Sequence, residues 1–370
     1  MAAKITMIIP TLVQGGAEKQ MSLLAVGLPK SEFEVRVVAL TAGGPWHDFL
    51  NEHSIPVTII GKRFKFDPFS FWSLYRELKR HRADLVHTWI FAANSYGRLA
   101  AKMAGVKLQV AGERCVDMWK TEFHFMVDRW LGRWTNAFAT NSQGVVDFYH
   151  RHRIGRDKFH VIPNGSLPQG AIAPDSRQQW RQRLGLRPDA VIATSLARLW
   201  PQKRLKDLIW AIDLLNCKYE HVHLVIAGDG PEKQRLQQFA LEAKVENRVH
   251  FVGHLSETDS LLQASDLFCL VSEYEGQPNS LMEAIHWQIP TVVTDIPGNR
   301  DLIPDSENGF LCPVGDRIAI AKQMAAALDD PIGAKARAER AAQRLRDVFD
   351  RQAMIDGYAG LYRLLLSQAN

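Results

Sequence analysis

The sequence predicts an α/β chain built from two doubly wound parallel-sheet domains, on three observations. Short apolar runs of strand length alternate with helical patterns from Lys4 to beyond Thr294, as parallel sheets with crossover helices require. At 370 residues the chain exceeds one ordinary core and suits two. Loops rich in glycine, proline or charge follow strand ends in both halves, and open sheets bind ligands beyond their carboxyl edges.

Composition narrows the class. Hydrophobic content of 46% and charged content of 23% are those of a soluble globular protein. No apolar stretch reaches the roughly 20 residues of a membrane-spanning helix. The opening Met1–Pro10 is too short and strand-like for a signal peptide. Cys115, Cys217, Cys269 and Cys312 lie far apart without metal or redox spacing and read as buried thiols of a reducing cytosol. Residues 1–165 hold 22 Lys and Arg against 14 Asp and Glu, while the remainder hold 23 against 26. A first half at +8 and a second at −3 suggest an anionic partner for the first half.

Residues 4–10 read as a central strand, Gln14-Gly15-Gly16-Ala17 as a loop, and Glu18–Leu28 as a helix with Met21, Leu24, Ala25 and Leu28 on one face. The loop lacks the G-x-G-x-x-G dinucleotide fingerprint, yet Gly15-Gly16 suits close approach of a phosphate or sugar as well as an ordinary turn. Val35–Leu40, Val57–Ile60 and Asp84–Thr88 are further strands. Residues 61–82 carry seven Lys and Arg against Asp67 and Glu77, interleaved with Phe64, Phe66, Phe69, Phe71, Trp72 and Tyr75. That mixture suits an anionic membrane interface, or a core helix with a basic solvated face. Residues 107–140 hold a second aromatic set, with Arg114 and His124 placed to meet substrate beyond a strand end. Ala137–Asn141 and Phe159–Ile162 are strands flanking a helix at 142–152. The segment from Pro163 through Gly165, Pro168 and Gly170 to Pro174 reads as the interdomain linker.

The second half opens with a polar helix at 176–185. Its first strand, Val191–Leu196, runs into Ala197-Arg198-Leu-Trp-Pro-Gln-Lys203, where two cations past a strand end can clamp a diphosphate. Strands follow at His223–Ala227, Val249–Val252, Leu267–Val271 and Thr291–Thr294. Between the last two lies Ser272–Pro290: Glu275-Gly276, a Pro278-Asn279 turn with a ready cap, then a helix carrying Glu283. Backbone N–H groups at Asn279, Ser280 and Leu281 would face the same space, where a helix N-terminus favours an anion.

In this order the landmarks resemble glycosyltransferase family four. They are Gly15-Gly16-Ala17-Glu18, Val161-Ile-Pro-Asn-Gly165, Arg198 with Lys203, Gly228-Asp-Gly-Pro231, His250-Phe-Val-Gly253, Glu275-Gly276 with Glu283-Ala284, Asp295-Ile-Pro-Gly298 and Glu307-Asn-Gly309. The resemblance implies a GT-B fold, two Rossmann-like domains facing a central cleft. Residues 1–168 would bind acceptor, 169–349 would bind donor, and a helix from about 350 to 370 would cross back. It implies a retaining, metal-independent enzyme with a nucleoside-diphosphate sugar, most commonly UDP-linked, as co-substrate and no cofactor. Arg198 and Lys203, with backbone at Gly16 and Asn279–Leu281, would hold the diphosphate. Glu283 would bind the ribose, Glu275 with Gly276 the transferred sugar, and backbone near Gly253-His254 the base. Arg114 and Asn94 are candidates for acceptor contact, and His124 joins Glu275, Arg198 and Lys203 as a catalytic candidate. The expected partners are the donor, a lipid-linked or cell-surface glycan such as a polyprenyl-diphosphate saccharide or lipopolysaccharide core, and an anionic membrane surface. The expected place is the cytoplasm, with peripheral attachment to the inner face of the membrane left open. A nucleotide-sugar epimerase of the same fold is the alternative.

Overall fold

A computed structural model describes residues 2–155, 157–166, 173, 175–216 and 218–369. Pro168, Gly170, Pro174 and Cys217 lie outside them, as does the expected boundary after residue 168. The described chain forms two compact units, Met1–Gly165 with Arg351–Asn370, and Ser166–Asp350.

The first unit runs β1 (Ala3–Thr11), α1 (Gly16–Gly27), β2 (Phe33–Ala42), α2 (Pro45–Glu52), β3 (Val57–Ile59), α3 (Pro68–His81), β4 (Leu85–Trp89), α4 (Ile90–Ala104), β5 (Leu108–Glu113), α5 (Glu122–Leu131), β6 (Ala137–Thr140), α6 (Gln143–Arg151) and β7 (Phe159–Val161). The second contains α7 (Ser176–Arg183), β8 (Val191–Leu196), α8 (Leu205–Leu215), β9 (Val222–Ala227), α9 (Lys233–Glu242), β10 (Val249–Gly253), α10 (Asp259–Ala264), β11 (Leu267–Leu270), α11 (Asn279–His286), β12 (Thr291–Thr294), α12 (Pro297–Arg300), β13 (Phe310–Cys312), α13 (Arg317–Asp329) and α14 (Pro331–Val348). Helix α15 (Arg351–Ala369) then rejoins the first unit.

The first sheet has the order β3-β2-β1-β4-β5-β6-β7. The pairings are parallel, with Ile5 beside both Val35 and Leu85. Ile5, Met7, Ile8 and Ile9 of β1 are all inaccessible, as a strand covered on both faces must be. Right-handed crossovers put α3, α4, α5 and α6 on one face and α1 and α2 on the other. Among the described residues no crossover helix on that second face covers β4 and β5, and α15 fills the gap. It packs on α1 and β5, with Ile355 against Gly27 and Arg363 paired with Glu32 at 2.7 Å. Tyr362 Oη meets His87 Nδ1 at 2.6 Å, and Tyr358 stacks near His87 and Trp89.

His87 is fully buried, and burial together with nearby Arg114 holds its pKa well below the ordinary 6.5. The unfolded chain therefore takes up a proton that the folded chain refuses. The stability it contributes is present above about pH 6.5 and is lost as pH falls below that value. Burial and neighbouring His250 lower His223 to about 4, adding in the same direction. The melting temperature is expected to fall as pH drops from 6.5 toward 4.5, and His87→Gln should flatten that slope whatever it does to the absolute value. Parallel slopes in variant and wild type would reject the assignment.

The second sheet has the order β10-β9-β8-β11-β12-β13, again with parallel pairings. Its faces carry two apolar layers, one of Leu208, Ile212, Leu224 and Met324, the other of Phe268, Leu281, Ile285 and Leu345. β13 was not foreseen as a strand: Phe310–Cys312 pairs with β12 in three residues, too short for a periodic signal. Cys269 and Cys312 are buried free thiols and Cys115 is half-buried. Burial pushes the Cys312 thiol up to about 12.

Candidate active site

The predicted donor residues of the second unit gather at the carboxyl edge of its sheet, where two loops are tied together. The first follows β8 and ends in a 3₁₀ turn, Pro201–Lys203. Its Leu199 is buried, and its N–H donates to the Asp229 carbonyl at 2.9 Å. The loop after β9 lies directly on it because Gly228 has no side chain. A Cβ there would fall 1.9 Å from the Ala197 carbonyl oxygen, on backbone already at φ +147°.

The second loop, Ser272–Pro278, follows β11. The Glu273 N–H donates to the Gln202 carbonyl at 2.9 Å, and Gln202 Nε2 donates to the Tyr274 carbonyl at 2.7 Å. Lys203 Nζ donates to Glu275 Oε1, with both side chains largely buried. Gly276 rests on Gly298 of α12, where an added Cβ would fall 1.6 Å from the Gly276 carbonyl oxygen. Gln202 and Gly298 are thus the supports of the site, and sequence reading gave neither a role. Gln202 acts through main-chain bonds that leave no compositional mark.

Beyond this loop α11 starts at Asn279. The expected cap is corrected: the N-cap is Pro278, which supplies no side-chain hydrogen bond to the turn. The Asn279, Ser280 and Leu281 N–H groups head a helix whose dipole favours an anion, while the Leu281 side chain is buried in the core. Glu283 lies one turn on, with Thr258 Oγ1 3.4 Å from its Oε2. Arg198 is exposed, its guanidinium 5.6 Å from the Trp200 ring centre. Gly253 ends β10 at φ +76°, its carbonyl accepting from the Gly228 N–H at 2.8 Å, and His254 beside it is exposed. Strands β8, β10 and β11 thus bring Arg198, Lys203, Gly253, His254, Glu275, Gly276, Asn279 and Glu283 to one edge of the sheet. Gly16 heads α1 of the first unit.

In the first unit the three acceptor-side candidates have structural partners. Asn94 is fully buried. Its Oδ1 accepts from Thr88 at 2.7 Å and its Nδ2 donates to Glu113 at 2.9 Å and the Gly112 carbonyl at 3.1 Å. Arg114 is buried, donating to Tyr358 Oη at 2.9 Å and to Asn164. His124 is half-buried, and its Nδ1 accepts from the Thr121 N–H at 3.1 Å, closing a capping box on α5. Its ring meets Phe91 and Trp119 edge-on at 5.1 and 5.2 Å. Asn94 and Arg114 are therefore tied into the framework of the carboxyl edge by these bonds, and His124 is held by its cap at the start of α5.

Beneath that edge Lys120 is buried among acids. Its Nζ lies 3.0 Å from Asp128, 3.4 Å from Asp117 and 3.5 Å from Glu113, and donates to Tyr149 Oη at 2.7 Å. Burial outweighs that ammonium and raises Glu113 to about 7. At the head of α4 Ile90 holds φ +58°, rare for a β-branched residue and costing about 1–3 kcal/mol. Such strain gathers at functional sites, and a lone isoleucine gives no sequence signal of it.

Two family models divide the chain between them. The one described as Glycosyltransferase Family 4 matches residues 14–166, and the one described as Glycosyl transferases group 1 matches residues 176–344. The chain belongs to the group 1/family 4 glycosyltransferases. Among the relatives of this glycosyltransferase, the Escherichia coli UDP-Gal:alpha-D-GlcNAc-diphosphoundecaprenol alpha-1,3-galactosyltransferase is 26% identical over 322 residues, 82% of each chain. A Campylobacter jejuni alpha-1,4-N-acetyl-D-galactosaminyltransferase, named for a diphosphoundecaprenol-linked substrate, is 28% identical over 358 residues, 93% of this chain and 94% of its own. The glycosyltransferase has the GT-B fold. Anabaena HepE in complex with UDP-glucose superposes with a TM-score of 0.86 at 22% identity, covering 98% of this chain and all of its own. The lipopolysaccharide glycosyltransferase WaaG does so at 0.75 and 17%, covering 96% and 99%.

Proposed function

We propose that this glycosyltransferase moves a hexose or N-acetylhexosamine from a UDP sugar to a hydroxyl of a lipid-linked glycan, with retained anomeric configuration and no metal. The observation that carries the reading is the edge where Arg198 and the Lys203–Glu275 pair stand beside the N-terminus of α11, whose N–H groups head the helix at Asn279. As the nucleoside diphosphate departs, negative charge builds on its phosphates while the sugar becomes oxocarbenium-like. Preorganised cations and aligned N–H groups stabilise the first. The carboxylate of Glu275 fixes the Lys203 ammonium and lies where it favours positive charge on the sugar. Glu283 accepts from the ribose hydroxyls. The acceptor hydroxyl attacks from the leaving-group face, and the departing phosphate takes its proton.

The lipid-linked acceptor is supported by the substrates for which the two relatives are named. An anionic membrane at the inner face is supported by exposed aromatics on one helical face of the first unit. Phe64, Phe66 and Phe69, the last 83% exposed, stand at the start of α3, and Trp119 and Phe123 at the start of α5, beside Lys62, Arg63 and Lys65. Melting with UDP, GDP and ADP sugars tests the donor: at 100 times its Kd a ligand stabilises by about 2.7 kcal/mol. A UDP sugar is expected to raise the melting temperature most, and transfer to a polyprenyl-diphosphate saccharide should give the donor's anomer by NMR. No shift with any of the three, or an inverted product, would sink the reading. Pelleting with phosphatidylcholine vesicles as readily as with phosphatidylglycerol would remove the anionic surface from it.

A further inference from the structure

At the amino edge of the first sheet a cavity of about 500 Å³ opens, its walls including Lys102, Lys107, Arg133, Trp134, Asn136 and Lys158. These residues stand at the end of α4 and just before β5, β6 and β7. Ligands of open sheets bind at the carboxyl edge, so this is a second place on the fold, on a different unit from the donor edge. Four cations line it and no carboxylate does.

Helix C-termini attract cations, and Lys158 is used in that way, donating to the Gly132 carbonyl at 3.1 Å and the Thr135 carbonyl at 2.8 Å. Lys102 lies in the last turn of α4, its ammonium 5.5 Å from the Trp134 ring centre. Lys107 and Arg133 have no such use. Both are exposed, and among the described residues neither side chain has a carbonyl or carboxylate partner. Like charges held around one cavity repel, and an anion in it relieves that repulsion. A guanidinium grips phosphate through two N–H groups and ammonium groups add point charge. The indole of Trp134, edge-on to Trp130 at 4.7 Å, offers an apolar wall to whatever the phosphate carries.

We propose that this cavity binds a phosphate ester, the phosphate on Arg133 and Lys107 and the ester group against Trp134. A membrane lipid headgroup and a soluble phosphate ester share that chemistry. The exposed stripe Phe123, Met126 and Trp130 along α5 leads to the cavity and suits the lipid.

The test compares wild type with Lys107→Glu/Arg133→Glu and with a control reversal of equal charge at exposed Lys30 and Lys322. Binding is read by calorimetry with glycerol phosphate and by co-sedimentation with phosphatidylglycerol vesicles against phosphatidylcholine. The wild type is expected to bind in at least one arm, and the cavity variant to lose ten-fold or more there. The control variant should keep its affinity, and both variants should keep the melting temperature and the donor-induced shift. Loss in the vesicle arm alone assigns a lipid headgroup, and loss in the calorimetric arm a soluble ester. No binding by the wild type, or equal loss in cavity and control variants, overturns the proposal. A negative result leaves the donor reading intact, because the donor shift is measured separately.

Discussion

Lys203→Ala is expected to lose about 10²- to 10³-fold in turnover, the usual loss when one preorganised electrostatic contact is removed from a transition state. The ammonium is held by Glu275 on a 3₁₀ turn that is itself bonded to the Glu275 loop. It therefore needs no reorganisation when charge develops on the phosphates. The same substitution leaves the Glu275 carboxylate, 9% exposed, without its cation, at a stability cost of about 1–3 kcal/mol. The two effects separate in Lys203→Ala/Glu275→Gln: the neutral amide removes the stranded charge, so the melting temperature should recover while turnover does not. Steady-state rates with saturating donor, beside melting curves, check both. Normal turnover in Lys203→Ala would end the proposed role of this pair.

Gly298→Ala, a single methyl away from any charged group, is expected to cost about 10²-fold in activity, the scale on which small misplacements of reacting groups act. The added carbon would lie 1.6 Å from the Gly276 carbonyl oxygen and 3.2 Å from that of Glu275. Both contacts are backbone, so no rotamer change relieves them, and the loop carrying Glu275 must move. Gly360→Ala is the matched control: its added carbon meets nothing within 4 Å, and an exposed mid-helix glycine replaced by alanine gains about 0.4–1 kcal/mol. If Gly298→Ala turns over as fast as Gly360→Ala, the loop position is not what sets the rate.

These two residues mark what a sequence can and cannot disclose. The strands were legible because parallel sheets buried on both faces need unbroken apolar runs, as in Met7-Ile8-Ile9 and Leu267–Val271. The donor edge was legible because its parts are local: a glycine beside a strand end, a cation in a loop, a glutamate one turn into a helix. What joins them was not. Lys203 finds Glu275 across 72 positions, and Arg114 finds Tyr358 across 244. Arg114 looked available for an acceptor because Asn164 and Tyr358 lie 50 and 244 positions away, and Asn94 because its bonds to Thr88 and Glu113 need neighbouring strands to be paired first. His124 looked catalytic because its use as a cap depends on where α5 begins. The return of α15 to the first unit was expected from the family resemblance. Its physical reason, a bare patch over β4 and β5, emerges only from the topology.

That return sets an order on synthesis. The unit spanning Ser166–Asp350 is continuous and can close as soon as it leaves the ribosome. The earlier-made unit waits for Tyr358 and Tyr362 until 185 intervening residues have been translated, roughly 10–40 s at ordinary elongation rates. During that interval His87 and Trp89 lack their lid, so the nascent amino-terminal half is the part for which chaperones have most to do.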